Sequence, residues 1–220
     1  GEPDNASMVD FESTSPSDLS GLEGAPAGRK GNGRGGRVNL AQILGGSKRT
    51  EDAVIRALRW LKRHQEENGS WSLTGYHKQC GTEGKKGKCD GFGEENYDVG
   101  ATGLAMLAYT GRGLDHKTPD KYDFHKVLEK GLKFMKGVQK SDGAFGEEEG
   151  NFLYNQTLAT LALGDLLSMS DDDSLRPAVE SGVKYILEAQ NPGMAWRYHN
   201  YKTHSERKQD PEVNGELNDT

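Results

Sequence analysis

The chain has 220 residues, 33% of them apolar and 28% charged, with a formal net charge of −6; these values fit one modest globular domain with polar tails. No run approaches the ~20 apolar residues that a bilayer-spanning helix needs, and no charged start followed by an apolar stretch marks a signal peptide. A mildly acidic total argues against nucleic acid as the main partner, since phosphate binding needs a clustered excess of Lys and Arg.

Residue 1 is Gly rather than Met, so upstream sequence is expected. Residues 1–28 carry six acids and no base, whereas residues 29–49 carry six bases and no acid. Rich in Gly, Ser, Pro and Asp, residues 1–46 read as a disordered tail, acidic and then basic and Gly-rich, with too few apolar residues to build a core. Gly28–Arg37 reads as a flexible solvated spacer rather than a lipid or RNA contact, and Val38–Gly46 as a short apolar stretch able to dock on the domain.

Helical periodicity begins at Thr50, read as an N-cap because Glu51 and Asp52 follow it and acids suit a first helical turn. Ala53, Ala57, Trp60, Leu61 and His64 then share one face. Similar one-faced helices are expected near Phe124–Val138 and Leu175–Ala189. Between them lie Val99–Gly111 and Leu153–Leu167, apolar nearly all round and therefore expected to be enclosed by protein. The alternation predicts a double layer, in which outer helices with one wet face alternate with inner helices packed on both sides.

A repeat underlies this order. The segments ALRWLKRHQEENGSW, GLKFMKGVQKSDGAF and GVKYILEAQNPGMAW align Gln65, Gln139 and Gln190, then Gly69, Gly143 and Gly193, then Trp71, Phe145 and Trp196. Each Gly is expected to end a helix with a positive-φ turn. The aromatic is expected to stack back on Trp60, Phe134 or Tyr185, and the Gln to satisfy backbone groups freed at helix ends. Trp71 is thus read as structural.

With these three copies, residues 50–198 resemble the Gln-Trp repeats of squalene–hopene and oxidosqualene cyclases, within the α/α-toroid group that includes protein prenyltransferase β subunits. Thr50–Ser72 and Tyr97–Gly111 are most similar to bacterial squalene-cyclase-like proteins of unassigned activity. The resemblance implies an all-α fold, a partial α/α toroid of alternating outer and inner helices, with its repeat domain over residues 47–198. Residues 199–220 then read as a polar loop leading toward an inner helix beyond the chain, as in a fragment of a longer protein, because the family's ring uses roughly six hairpins.

The family resemblance also implies where chemistry would reside. Such cyclases protonate a double bond or epoxide with an Asp-x-Asp-Asp acid or its relatives and stabilise the cation with aromatic walls. That pattern is absent here: Asp171–Leu175 reads as a cap for the next helix, and no catalytic residue is assigned. Two functions follow as expectations. One is a binding or scaffold toroid for an apolar, isoprenoid or peptide ligand; the other is a piece of a functional triterpene cyclase whose acid lies beyond residue 220, partnered by the remaining toroid of the same protein. No cofactor is expected.

Differences between copies mark further candidates. Phe145 precedes Tyr154 by nine residues, but Trp71 precedes Tyr97 by twenty-six, a 17-residue insertion holding Cys80 and Cys89. A disulfide closing the insertion is the first reading, and zinc held by the two cysteines with His77 the second. A disulfide would favour an oxidising compartment, hence a lean toward an exported or envelope location. Polar residues at inner-helix ends, Tyr97, Asp98, Thr102, Tyr154, Asn155 and Asp165, are candidates to line a cavity, although Asp98 and Asn155 also read as N-caps.

Overall fold

The computed structural model describes residues 45–80, 89, 93, 97–148, 150–191, 195–198 and 200. The expected disordered tail, apart from Gly45 and Gly46, and the repeat glycine Gly193 lie outside these residues, as does nearly all of the expected C-terminal loop. Among the described residues five α-helices follow one another: α1 Lys48–Arg63, α2 Asp98–Gly111, α3 Phe124–Val138, α4 Phe152–Ser170 and α5 Arg176–Glu188, with 3-10 turns at Tyr76–Gln79 and Asp173–Leu175. Among the described residues β pairing is limited to an isolated bridge between Gln139 and Phe145.

The helix starts follow local hydrogen bonding. Ser47, not Thr50, caps α1: the Thr50 amide donates to Ser47 Oγ at 3.3 Å, and the Ser47 amide donates back to Thr50 Oγ1 at 2.8 Å. A reciprocal pair satisfies two donors at once, so the helix begins two residues before Thr50. α3 fills its expected span, and α5 is one residue shorter than expected at each end. Pro177 stands in the first turn of α5, where its missing N–H costs nothing. Asp172 accepts from the Ser174 amide at 3.3 Å, so the acidic run caps the 3-10 turn Asp173–Leu175 rather than α5 itself, whose N-cap is Leu175.

α1, α3 and α5 are the outer helices, while α2 and α4 are the inner ones and form the most extensive helix pair. They approach closely because a Cβ at Gly103 would stand 2.8 Å from the Leu158 carbonyl. Met106, Tyr109, Leu163 and Leu166 of the inner pair are fully enclosed with Phe124, Leu128 and Met135 of α3. A smaller cluster of Phe152, Leu153, Tyr185, Ala144 and Ala189 joins α4 to α5. Burying each such large side chain stabilises by roughly 1.5–3 kcal/mol before entropy is counted.

One expectation fails here. The inner helices are not enclosed all round, because Leu104, Tyr154 and Leu161 are 55%, 59% and 55% exposed. Met106 of α2 packs against Gly131 of α3, and Thr160 of α4 against Gly182 of α5; no described element covers the face carrying Leu104 and Leu161. No helix among the described residues is long and apolar enough to cross a membrane.

Candidate functional site

The repeated turns come first, since they set the positions of everything else. Gly69 has φ +94° and Gly143 φ +96°, a region that favours glycine. A Cβ at Gly69 would collide with the backbone carbonyl of Lys130 in α3, and one at Gly143 with that of Ser181 in α5. Each turn therefore seats on the next outer helix. Gln65 Nε2 donates to the Gly69 carbonyl at 3.0 Å and the Val127 carbonyl at 2.9 Å, and Gln139 Nε2 to the Ala178 carbonyl at 2.8 Å. These carbonyls lie mostly within the next helix rather than at the freed end of the Gln's own helix, which corrects the expected role.

The aromatics close the same contacts differently from the expectation. Trp71 does not stack on Trp60; its ring lies 6.3 Å from Tyr109, and its Nε1 donates to the Leu61 carbonyl at 2.8 Å. Trp196 Nε1 repeats this bond to the Ile186 carbonyl at 2.6 Å. The Trp71 amide donates to Thr102 Oγ1 at 3.0 Å and the Phe145 amide to Gln156 Oε1 at 2.8 Å. Thr102, fully buried, is thus part of this staple rather than a cavity residue. In the third copy Gln190 and Trp196 are exposed.

Of the residues expected to line a cavity, three converge. Tyr97, Asp98, Phe134, Phe145, Glu147 and Asn155 border a cavity of about 570 Å³ at the N-terminal ends of α2 and α4. Beside it, Leu104, Tyr154, Asn155 and Leu158 border an apolar hollow of about 250 Å³. Neither polar candidate is an N-cap. Asp98 is the first residue of α2, and Asn155 sits in the first turn of α4 with its Oδ1 against Gly100, where a Cβ would collide with it. Burial pushes the Asp98 carboxyl up, opposed by the Leu73 amide, which donates to Oδ1 at 3.2 Å, and by Ser72. Asp165 lies farther along α4, half-buried and outside both hollows.

Cys80 and Cys89 are not joined in a disulfide, and the histidine that meets them is His64 rather than His77. His64 Nε2 lies 3.3 Å from Cys80 Sγ and 3.4 Å from Cys89 Sγ. The His77 carbonyl instead accepts the Cys80 amide at 3.2 Å, closing the 3-10 turn. His64 is the C-cap of α1, only 4% exposed, and its ring stacks on Trp60 at 4.0 Å. A signal for it stood in the repeat. The residue before the repeated Gln is Val138 in the second copy and Ala189 in the third, and histidine only where the cysteines follow.

A model described as the squalene-hopene cyclase C-terminal domain matches residues 46–216. A squalene-hopene cyclase of Schizosaccharomyces japonicus (strain yFS275 / FY16936) is 26% identical over 67% of this chain and 24% of its own length. A probable squalene–hopene cyclase of Sinorhizobium fredii (strain NBRC 101917 / NGR234) is 26% identical over 74% of this chain and 22% of its own length. The chain thus spans about a quarter of the length of these curated relatives. No solved structure matches.

Proposed function

The chain belongs to the squalene-hopene cyclase C-terminal domain family, and from that membership we propose that it is a binding toroid segment whose inner helices hold an apolar, isoprenoid-like ligand without supplying the acid that would cyclise it. The observation that carries this reading is the exposed apolar face of the inner pair, Leu104, Tyr154 and Leu161, continuous with the hollow bordered by Leu104, Tyr154 and Leu158. Contiguous exposed apolar surface marks interaction sites in soluble proteins, and pockets for small molecules are mainly apolar with a few placed polar groups. Asp98 and Asn155 are those groups here, at the polar rim.

A second reading is favoured by the relatives' names and lengths. The chain is then one part of a functional triterpene cyclase, and its exposed face is one wall of a chamber completed by the remaining toroid of the same protein, which also carries the proton donor.

Squalene separates the two. Leu161→Glu places a carboxylate on the exposed face, where it should weaken binding of squalene by tenfold or more without unfolding the helices. Equal binding by the variant would sink the first reading. Cyclic product formed by residues 1–220 alone would replace it with an enzymatic one, and product formed only by a longer chain would support the second.

A further inference from the structure

We propose that His64, Cys80 and Cys89 form a zinc site that fastens the insertion of the first repeat to the C-terminal end of α1. The inference is independent of what the inner helices bind.

The tautomer is set by the neighbours. His64 Nδ1 lies 2.7 Å from the Trp60 carbonyl, which can only accept, so Nδ1 carries the proton and Nε2 presents its lone pair. Both sulfurs converge on that nitrogen, at 3.3 and 3.4 Å. One in-plane lone pair accepts one good hydrogen bond, so two thiols aimed at it are not explained as two S–H donors. A cation between the three atoms explains them. With Zn–S of about 2.3 Å and Zn–N of about 2.0–2.1 Å, tetrahedral geometry puts nitrogen and sulfur roughly 3.5 Å apart, within the tolerance of both observed contacts. All three ligand atoms lie within 4.8 Å of one another.

The surroundings are those of a metal site. A ligating imidazole whose second nitrogen donates to a carbonyl is held in orientation and made a better ligand, as the Trp60 carbonyl does here. The Cys89 amide donates to Cys80 Sγ at 3.2 Å, which holds that sulfur in place beside His64. Trp60 stacks on the ring, and Tyr76 lies 6.0 Å from it, so the cluster is walled by aromatics on the protein side. Two thiolates and an imidazole suit Zn²⁺ over the hard cations Mg²⁺ and Ca²⁺, which take oxygen.

The chemistry balances simply. Two thiols lose their protons to solvent as two Zn–S bonds form, and the two thiolate charges neutralise the ion; nothing is oxidised or reduced. A disulfide would instead remove both S–H groups and leave the buried Nε2 lone pair facing sulfurs with no proton to give.

The test is metal analysis of the protein purified with a mild reductant and no chelator. The expected result is one zinc per chain surviving dialysis. Cobalt(II) put in its place should give the intense visible bands of a tetrahedral ion and a near-ultraviolet thiolate charge-transfer band. Cys89→Ser should lower zinc affinity by more than the roughly 100-fold that loss of an outer-shell partner costs, with an unchanged far-ultraviolet circular dichroism spectrum. Cys80→Ser should do the same; His64→Gln is a weaker probe because that ring also packs on Trp60. Three results would overturn the site: protein that neither retains zinc nor accepts cobalt, zinc held equally well by Cys89→Ser, or a mass short by two hydrogens with both cysteines unreactive until reduced.

Discussion

The turn after α1 and the turn after α3 are built from the same bonds at matching positions: a glutamine amide reaching into the next outer helix, a glycine with φ near +95°, and an aromatic whose amide donates to an inner helix. Beyond the aromatic they diverge. The second copy needs only a short link to α4, whereas the first makes an excursion that returns two thiols to the end of its own outer helix. The shared part bears on neighbouring helices and so on the ring's architecture. The described cysteines of the added part meet His64 of their own copy. A repeat can therefore acquire a new feature after its aromatic without disturbing the contacts that hold the row together.

Substitution can break that equivalence. The largest effect is expected from truncating the aromatics: Trp71→Ala and Phe145→Ala should each cost about 3–5 kcal/mol, since both rings are almost wholly buried and large-to-small core changes leave cavities. Urea unfolding of the two variants is the check. If either costs less than about 1 kcal/mol, a range usual for surface sites, the two turns are not equivalent staples. Gly69→Ala and Gly143→Ala come next, because an L-residue at such φ costs about 1–3 kcal/mol and the new Cβ meets a backbone carbonyl in each case. Zinc removal sharpens the contrast from the other side. A chelator should speed amide exchange around His64 and Tyr76–Cys80 and leave Gln139–Phe145 unchanged; equal effects on both would argue that the insertion supports the whole row.

The smallest expected effect is in pH dependence, where two carboxylates have opposite signs. Burial raises the Asp98 pKa, so the folded chain holds that proton more tightly than the unfolded one, and stability falls as pH rises above the ordinary aspartate range. Asp98→Asn should flatten that fall. The Asp172 carboxyl is held well below the usual carboxylate range by His116, whose Nε2 is 2.9 Å away, and by Ser174. Its contribution is present above the ordinary range and lost as pH drops below it. Denaturant midpoints between pH 3 and pH 6 for Asp98→Asn and Asp172→Asn should show slopes changed in opposite directions.

Much of this was legible in the residues. Helical periodicity located the five described helices within a few positions, and the aligned Gln, Gly and aromatic located the turns, because burial of one helix face and a positive-φ turn leave strong local marks. Partners across the fold leave none. Nothing local in Trp71 says that its nitrogen reaches Leu61 while its amide reaches Thr102, and nothing local in Thr102 distinguishes a staple from a cavity wall. His64 sits on an apolar helical face, where packing is the ordinary role, and its ring does stack on Trp60, so nothing local announces the two sulfurs beside it. His77 drew attention by its nearness to Cys80 in sequence, yet a 3-10 turn carries Cys80 back to the helix end instead. Only comparison with Val138 and Ala189 singles His64 out, and that requires the repeat to be aligned first.

The glutamine contacts of the first two turns point forward along the chain. Gln65 waits for a carbonyl 62 residues downstream and Gln139 for one 39 residues downstream, so neither turn is complete when the ribosome has just delivered it. Emerging at roughly 5–20 residues per second, the first turn stays open for several seconds until α3 appears. Its completion then fixes the place where the next turn will open. Such a chain assembles as a ratchet with a direction, each repeat finished by its successor, and a stall in synthesis would leave the last-made turn exposed rather than the first.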